Sequence, residues 1–294
     1  MAFLCYGRGG RLAIAWAALL PAALLGLYLF LIAPRASRRE AWPEGMLQCA
    51  YAHRGLHRGP SVPENSLAAF ERAAQAGFGI ELDVRLSRDG VLMVHHDDTL
   101  ERTCGVKKRF ADLDAQEIRS YPLFGSQERI PDFSQVLSCV AGRSPLIVEL
   151  KSMGKRNGDL ARKTCALLES YSGPWCVESF DPRLLLWFRR HAPQAIRGQL
   201  AYDPRRSEAK KKGLLYWAGA NLLTNFLSRP DFIAYGQETD GNPSFQITKK
   251  LFRPVTAAWT VSTPETYQRL RRQYDLQIFE GFVPTDGRFH SKRS

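Results

Sequence analysis

No CxxC pair, no glycine-rich turn behind a strand and no repeat period occur in these 294 residues. The six cysteines (Cys5, Cys49, Cys104, Cys139, Cys165 and Cys176) are irregularly spaced, and five of them follow the N-terminal apolar stretch. An odd, patternless set argues against a disulfide framework and for a reducing compartment. The glycines at Gly7, Gly9 and Gly10 precede the apolar stretch rather than follow a strand, so a dinucleotide-binding fold would lack its phosphate turn. Without repeats or low-complexity tracts, solenoids and disordered tails are excluded. Basic residues outnumber acidic ones by 41 to 29, for a net charge of +12. They are dispersed or sit in short runs such as Lys210-Lys211-Lys212, without interleaved aromatics or zinc-finger spacing. That argues against nucleic acid as a partner and leaves an anionic membrane surface or a phosphorylated substrate.

Charge is also missing from Leu12 to Pro34, a length that suits a single membrane-spanning helix. A cleaved signal peptide is the competing reading. The apolar run is long for one, and Ala33-Pro34-Arg35 makes a poor cleavage site. The expected organisation is an anchor over 1–34, a basic linker over 35–48 and a catalytic domain over 49–290. Arg8 and Arg11 precede the span, whereas Arg35, Arg38 and Arg39 follow it. The slight excess after it points to a cell-membrane protein with its domain in the cytosol.

Beyond the linker, strand-like and helix-like segments alternate. Strands are expected at Cys49–Ala52, Phe78–Leu86, Val91–His96, Pro145–Leu150, Trp175–Ser179, Gly198–Ala201, Leu222–Asn225, Phe232–Tyr235, Val255–Val261 and Leu276–Phe279. Helices are expected at Asn65–Ala76, Phe133–Val140, Asp159–Ser170, Pro182–His191, Ser207–Ala218, Ser244–Phe252 and Pro264–Tyr274. This rhythm predicts an α/β fold with a parallel sheet, closed as a (β/α)8 TIM barrel, with an open doubly wound sheet as the alternative. The stretch from about 104 to 144 is long for a connecting loop and reads as a small functional insertion.

Barrel enzymes place chemistry at the C-terminal ends of strands. His53, Glu81, Asp83, His96, Glu149 and Lys151 all fall at or near such ends. Glu81 and Asp83 are two apart, so both side chains share a face. Buried unpaired carboxylates are strongly disfavoured, and a hard divalent cation resolves the conflict. Ordinary ion pairs are the alternative for any one of them. Glu149 adds a third carboxylate, and Lys151 shares its face, where it could neutralise Glu149 or hold a phosphate oxygen. The planar fork of Arg54 suits phosphate, and Glu64 could pair with it or contact the metal. His53 and His96 are candidates for general base and general acid. His95 should face away from His96, and His57 reads as a loop histidine. Asn65 reads as a helix N-cap. Phe180 and Trp259 could wall a pocket or pack in the core.

Four motifs in order carry a family resemblance. They are His53-Arg54-Gly55, Glu64-Asn65, Glu81-Leu82-Asp83-Val84, and His96-Asp97 followed by Leu100, Arg102 and Thr103. Glu149-Leu150-Lys151, Ser179-Phe180-Asp181 and Trp259-Thr260-Val261 extend it. The chain resembles the glycerophosphodiester phosphodiesterases over about residues 50–290. The resemblance implies a metal-dependent TIM barrel that hydrolyses glycerophosphodiesters to sn-glycerol 3-phosphate and an alcohol. It implies Glu81, Asp83 and Glu149 as ligands of one Mg2+ or Ca2+, His53 and His96 as the acid–base pair, and Arg54 and Lys151 as phosphate contacts. Cys104, Ser262 and the Ile278–Asp286 stretch depart from the family pattern and bear on alcohol specificity. A lysophospholipase D-like activity on membrane lipids and a non-catalytic lipid- or phosphate-binding barrel are the alternatives.

Overall fold

The computed structural model describes residues 8–36, 39–203 and 213–289, with side chains of the N-terminal helix Arg8–Ile32 described from Leu19 onward. The strands are β1 (Ala50–Ala52), β2 (Gly79–Leu86), β3 (Leu92–Val94), β4 (Leu146–Leu150), β5 (Trp175–Ser179), β6 (Arg197–Ala201), β7 (Phe232–Gly236), β8 (Val255–Val261) and β9 (Leu276–Phe279). All except β3 pair in parallel in the order β1-β2-β4-β5-β6-β7-β8-β9, and β9 returns to β1 to close the ring. The expected (β/α)8 barrel is present, with β3 added to it.

Strand β2 shows why this sequence makes such a wall. Ile80, Leu82, Val84 and Leu86 alternate with Glu81, Asp83 and Arg85, and every residue of the strand is buried. The apolar set joins the core between sheet and helices, with Phe70, Phe133 and Val148. The charged set is therefore turned to the opposite face. A second core of Tyr51, Ile147, Cys176, Leu200, Phe232, Ala257 and Ile278 comes from many strands at once and fills the barrel interior, with Trp42 and Met46 packed into it. Gly198 is required there, because a Cβ would lie 2.1 Å from the Phe232 ring.

Three expectations need correction. Val91–His96 is not a barrel strand. Only Leu92–Val94 is extended, and it runs antiparallel to β2. The Asp89-Gly90 turn is too short for the crossover a parallel partner needs, so it can only make a hairpin. Leu222–Asn225 is a turn leading into a short helix, Asn225–Ser228. Its apolar character comes from packing in the core outside the sheet, with Leu222 fully buried at φ 56°. The helix expected over Ser207–Ala218 runs over Leu214–Ala220, and positions 207–212 lie outside the described residues.

The insertion near 104–144 wraps short helical turns around its own core of Leu100, Phe110, Leu113, Ile118, Leu123 and Ile130. The N-terminal helix meets the β6–β7 connection at its last turn. There Asn225 Nδ2 donates to the Ile32 carbonyl (2.8 Å), and Arg229 Nη1 donates to those of Phe30 (3.1 Å) and Ala33 (2.8 Å). Among the described residues no helix is long and apolar enough to cross a membrane; the side chains of the expected span before Leu19 lie outside them. The five described cysteines are free.

Candidate active site

Register brings the acidic residues together. Asp83 on β2 sits opposite Glu149 on β4, and Glu149 sits opposite Glu178 on β5. Oxygen atoms of Glu81, Asp83 and Glu149 all lie within 4.8 Å of one another, and the three residues are buried. Burial, reinforced by Asp83 and Glu149, raises the Glu81 carboxyl well above the usual carboxylate range. Burial likewise raises Glu149, which Lys151 partly offsets. Asp83 is held well below its ordinary value: burial works against ionisation, but the charges of Lys151, His96 and Arg54 outweigh it.

Lys151 lies 2.9 Å from Asp83 Oδ1 and 2.7 Å from Glu149 Oε1. Arg54 stands in the left-handed region (φ 56°), and its backbone N–H donates to Glu81 Oε2 at 3.0 Å. Its guanidinium donates to Glu64 Oε1 at 2.8 Å and lies 3.6 Å from Asp83. Gly55 makes this turn possible. It sits at φ 82°, and a Cβ would be 2.9 Å from the Ala69 backbone. Asn65 is no helix cap, because Ser66 caps the helix Leu67–Gln75 by accepting from the Ala69 N–H. Asn65 instead donates Nδ2 to Asp83 Oδ2 at 2.9 Å.

The two histidines flank this cluster, each backed by a carboxylate. His53 Nδ1 is 2.6 Å from Glu280 Oε2, which leaves Nε2 facing Glu81 Oε2 at 3.9 Å. Burial lowers the His53 pKa, against the pull of Glu280. His96 Nδ1 is 2.6 Å from Asp97 Oδ1. His96 reaches the site from the loop after β3, not from a barrel strand, and Arg85 holds its carbonyl through two hydrogen bonds. His95 points elsewhere. Its ring stacks on Phe110 and bonds Thr103 Oγ1 at 2.9 Å, and burial pushes its pKa down to about 4. His57 approaches Glu280 Oε1 at 3.3 Å.

Glu64 joins Arg54 to Arg102, which continues to Asp97. Phe180 and Trp259 do meet beside the site, with ring centroids 5.7 Å apart and Tyr202 edge-on to both. Sequence reasoning missed Glu280, Glu178, Asp97 and Tyr202 as members of this layer. The same-face rule could have found Glu178, which lies two residues before Phe180 on β5. Glu280 gave no such signal, since its stretch departs from the family pattern.

The cluster fits a divalent cation on its own charge balance. Glu81, Asp83, Glu149 and Glu178 are buried carboxylates, against Arg54 and Lys151 as the adjacent cations. Carboxylates outnumber cations there, and Arg54 is shared with Glu64, so a divalent cation would relieve the crowding. All-oxygen donors suit those hard ions.

Residues 53–275 match the model of the glycerophosphoryl diester phosphodiesterase family. A glycerophosphodiester phosphodiesterase of Caldanaerobacter subterraneus is 42% identical over 106 residues, covering 33% of this chain and 44% of the relative. Another, from Bacillus altitudinis, is 35% identical over 164 residues, covering 52% and 66%. Both matches thus span less than two thirds of the relatives' own length. Among solved structures, an Oleispira antarctica phosphodiesterase in complex with the product sn-glycerol-3-phosphate superposes with a TM-score of 0.65. It is 22% identical, with 79% of this chain and 92% of that one covered, a likeness that speaks for the fold. With the family motifs matched along most of its length and their side chains converging at one barrel mouth, the chain belongs to the glycerophosphoryl diester phosphodiesterase family.

Proposed function

We propose that this protein is a metal-dependent phosphodiesterase that hydrolyses glycerophosphodiesters to sn-glycerol 3-phosphate and an alcohol. The observation that carries the reading is the buried Glu81–Asp83–Glu149 cluster, set between two carboxylate-backed imidazoles and two cations. The product complex of the Oleispira relative, on the same fold, supports the substrate class.

In this reading Glu81, Asp83 and Glu149 hold the cation. When bound, it supplies Lewis-acid polarisation of the phosphoryl oxygens and neutralises developing charge. Arg54 and Lys151 bind the remaining phosphate oxygens. His53 donates its Nδ1–H to Glu280, so bare Nε2 takes the proton of the attacking oxygen, that of water in a direct hydrolysis, as the new P–O bond forms. His96, oriented by Asp97, delivers a proton from Nε2 to the alkoxide as the old P–O bond breaks. Glu280 thus holds His53 in the tautomer its task needs, and Asp97 holds the orientation of the His96 ring. Glu64 positions Arg54, and Phe180 and Trp259 wall the leaving-group side.

The test is release of sn-glycerol 3-phosphate from glycerophosphocholine, with Mg2+, with Ca2+ and with a chelator. Metal-dependent release is expected. Well-folded protein that instead cleaves choline from lysophosphatidylcholine would favour the lysophospholipase D-like reading, for which Phe180, 41% exposed at the site, is the supporting observation. Inactivity on both would leave a phosphate-binding barrel.

The N-terminal helix is read as a single-pass membrane anchor, with the barrel on the cytosolic side. Its support is the uncharged sequence from Leu12 to Leu27 and the exposure of every residue from Leu19 to Leu27, before the helix packs on the barrel at Tyr28. Recovery of the full chain in the soluble fraction after carbonate washing of membranes would remove this part, and protease protection in sealed cells reads the side.

A further inference from the structure

We propose that the rim of the barrel mouth beside the N-terminal helix docks on the bilayer, so that the catalytic opening faces the lipid surface. The proposal rests on the reading of that helix as a membrane anchor.

The direction of the helix carries the argument. The Arg35 N–H donates to the Pro230 carbonyl at 2.9 Å, just before β7 begins, which fixes this end of the helix at the floor of the barrel. About two turns earlier in the chain, Tyr28 Oη donates to Ser244 Oγ at 2.8 Å. Ser244 lies in the first turn of the helix Pro243–Phe252, which follows the C-terminal end of β7 on the mouth side. The helix therefore climbs from floor to mouth as it is followed toward its N-terminus. The nine residues from Tyr28 back to Leu19 add roughly 14 Å beyond that point. Residues 19–27 are exposed around the whole circumference, Leu19, Leu20, Leu24 and Leu25 among them. A docked protein would cover one side of such a helix, whereas hydrocarbon covers all of it.

A second apolar element stands at the same edge. The helix Leu214–Ala220 lies in the β6–β7 connection, and Asn221 at its end accepts from the same Ser244 hydroxyl at 3.3 Å. Leu214 and Leu215 are 75% and 83% exposed, and Tyr216 and Trp217 are about half exposed. Two bare leucines beside two aromatics with polar tips are the composition of an interfacial contact. Tyr202, which follows β6 in that connection, begins the aromatic wall that reaches Phe180 and Trp259. The net charge of +12 favours anionic head groups around the contact.

The test uses the full chain in phosphatidylcholine–phosphatidylglycerol vesicles doped with bromolipid. Trp16 and Trp217 are the informative tryptophans. Quenching in the parent protein should exceed that in a Trp217→Phe variant, with the remainder reporting the anchor. Equal quenching in both overturns the proposal and leaves the anchor standing; no quenching in either removes the anchor and the proposal with it. A Leu214→Glu/Leu215→Glu variant should turn over soluble glycerophosphocholine like the parent, while its bromolipid quenching falls to the level of the Trp217→Phe variant. Quenching kept at the parent's level in this variant overturns the proposal. So does a detergent-stable dimer that this variant dissolves, which would make a second copy the occupant.

Discussion

Glu280→Gln removes the carboxylate that the site added to the expected set. Glu280 Oε2 meets His53 Nδ1 at 2.6 Å while Oε1 meets His57. The hydrogen bond from His53 holds the Glu280 carboxyl well below its ordinary range, so it is anionic wherever the enzyme would operate. Glutamine keeps the shape and loses the charge. A hydrogen bond to a charged group contributes about 1.5–3 kcal/mol. The Glu280 side chain is 36% exposed, so screening favours the lower end, about 1.5 kcal/mol, or roughly tenfold in kcat/KM. The sign of the pH effect follows from the same charge. Burial already lowers the His53 pKa, and Glu280 opposes that. Without the anion the pKa falls further, so the acid limb of the kcat/KM profile should move to lower pH while the plateau drops. The assay is glycerophosphocholine hydrolysis across pH, with thermal unfolding in parallel. A plateau within twofold of the parent and an unmoved acid limb would refute the role given to Glu280. Loss of activity matched by loss of stability would make the residue structural.

Saturating Mg2+ or Ca2+ should raise the unfolding midpoint, by about 2.7 kcal/mol of stability at a hundredfold excess over Kd. Glu149→Gln should abolish that rise along with activity; scanning calorimetry reads the first and glycerophosphocholine turnover the second. His95 should make the fold acid-sensitive. Its pKa falls to about 4 in the folded protein from about 6.5 unfolded, so between these values only the unfolded chain binds the proton. Stability is then complete above pH 6.5 and declines as pH falls toward 4, by about 3 kcal/mol. Denaturant titrations of a His95→Asn variant should show a flatter pH dependence, and an unchanged slope would contradict the assignment. Gly55→Ala should cost about 1–3 kcal/mol, since it combines a left-handed φ with a clash against the Ala69 backbone. It should also cut activity by displacing Arg54, as unfolding curves and turnover will show.

Much of the site was legible because strands alternate their faces. Glu81 with Asp83, and Glu149 with Lys151, were placed by the two-residue spacing alone, and β-register supplied only the meeting of the pairs. Legibility failed where chain direction decided the outcome. The apolar run at Leu92–Val94 has the composition of a strand, but the hairpin at Asp89-Gly90 turns it out of the barrel, and His96 enters from its loop. It failed again at Leu222–Asn225, where burial against the surrounding helices mimics a sheet strand. Asn65 shows the limit at a single residue. Its place before a helix suggests a cap, whereas a left-handed backbone turns its amide to Asp83. Glu280 depends on closure of β9 against β1, a contact between the two ends of the domain that no local pattern announces.

The account stands on the cation site. Crystals soaked in Mn2+ and measured at its absorption edge should show an anomalous peak between the carboxylates of Glu81, Asp83 and Glu149, absent from Glu149→Gln crystals. No peak there, or one displaced to other carboxylates, would contradict it.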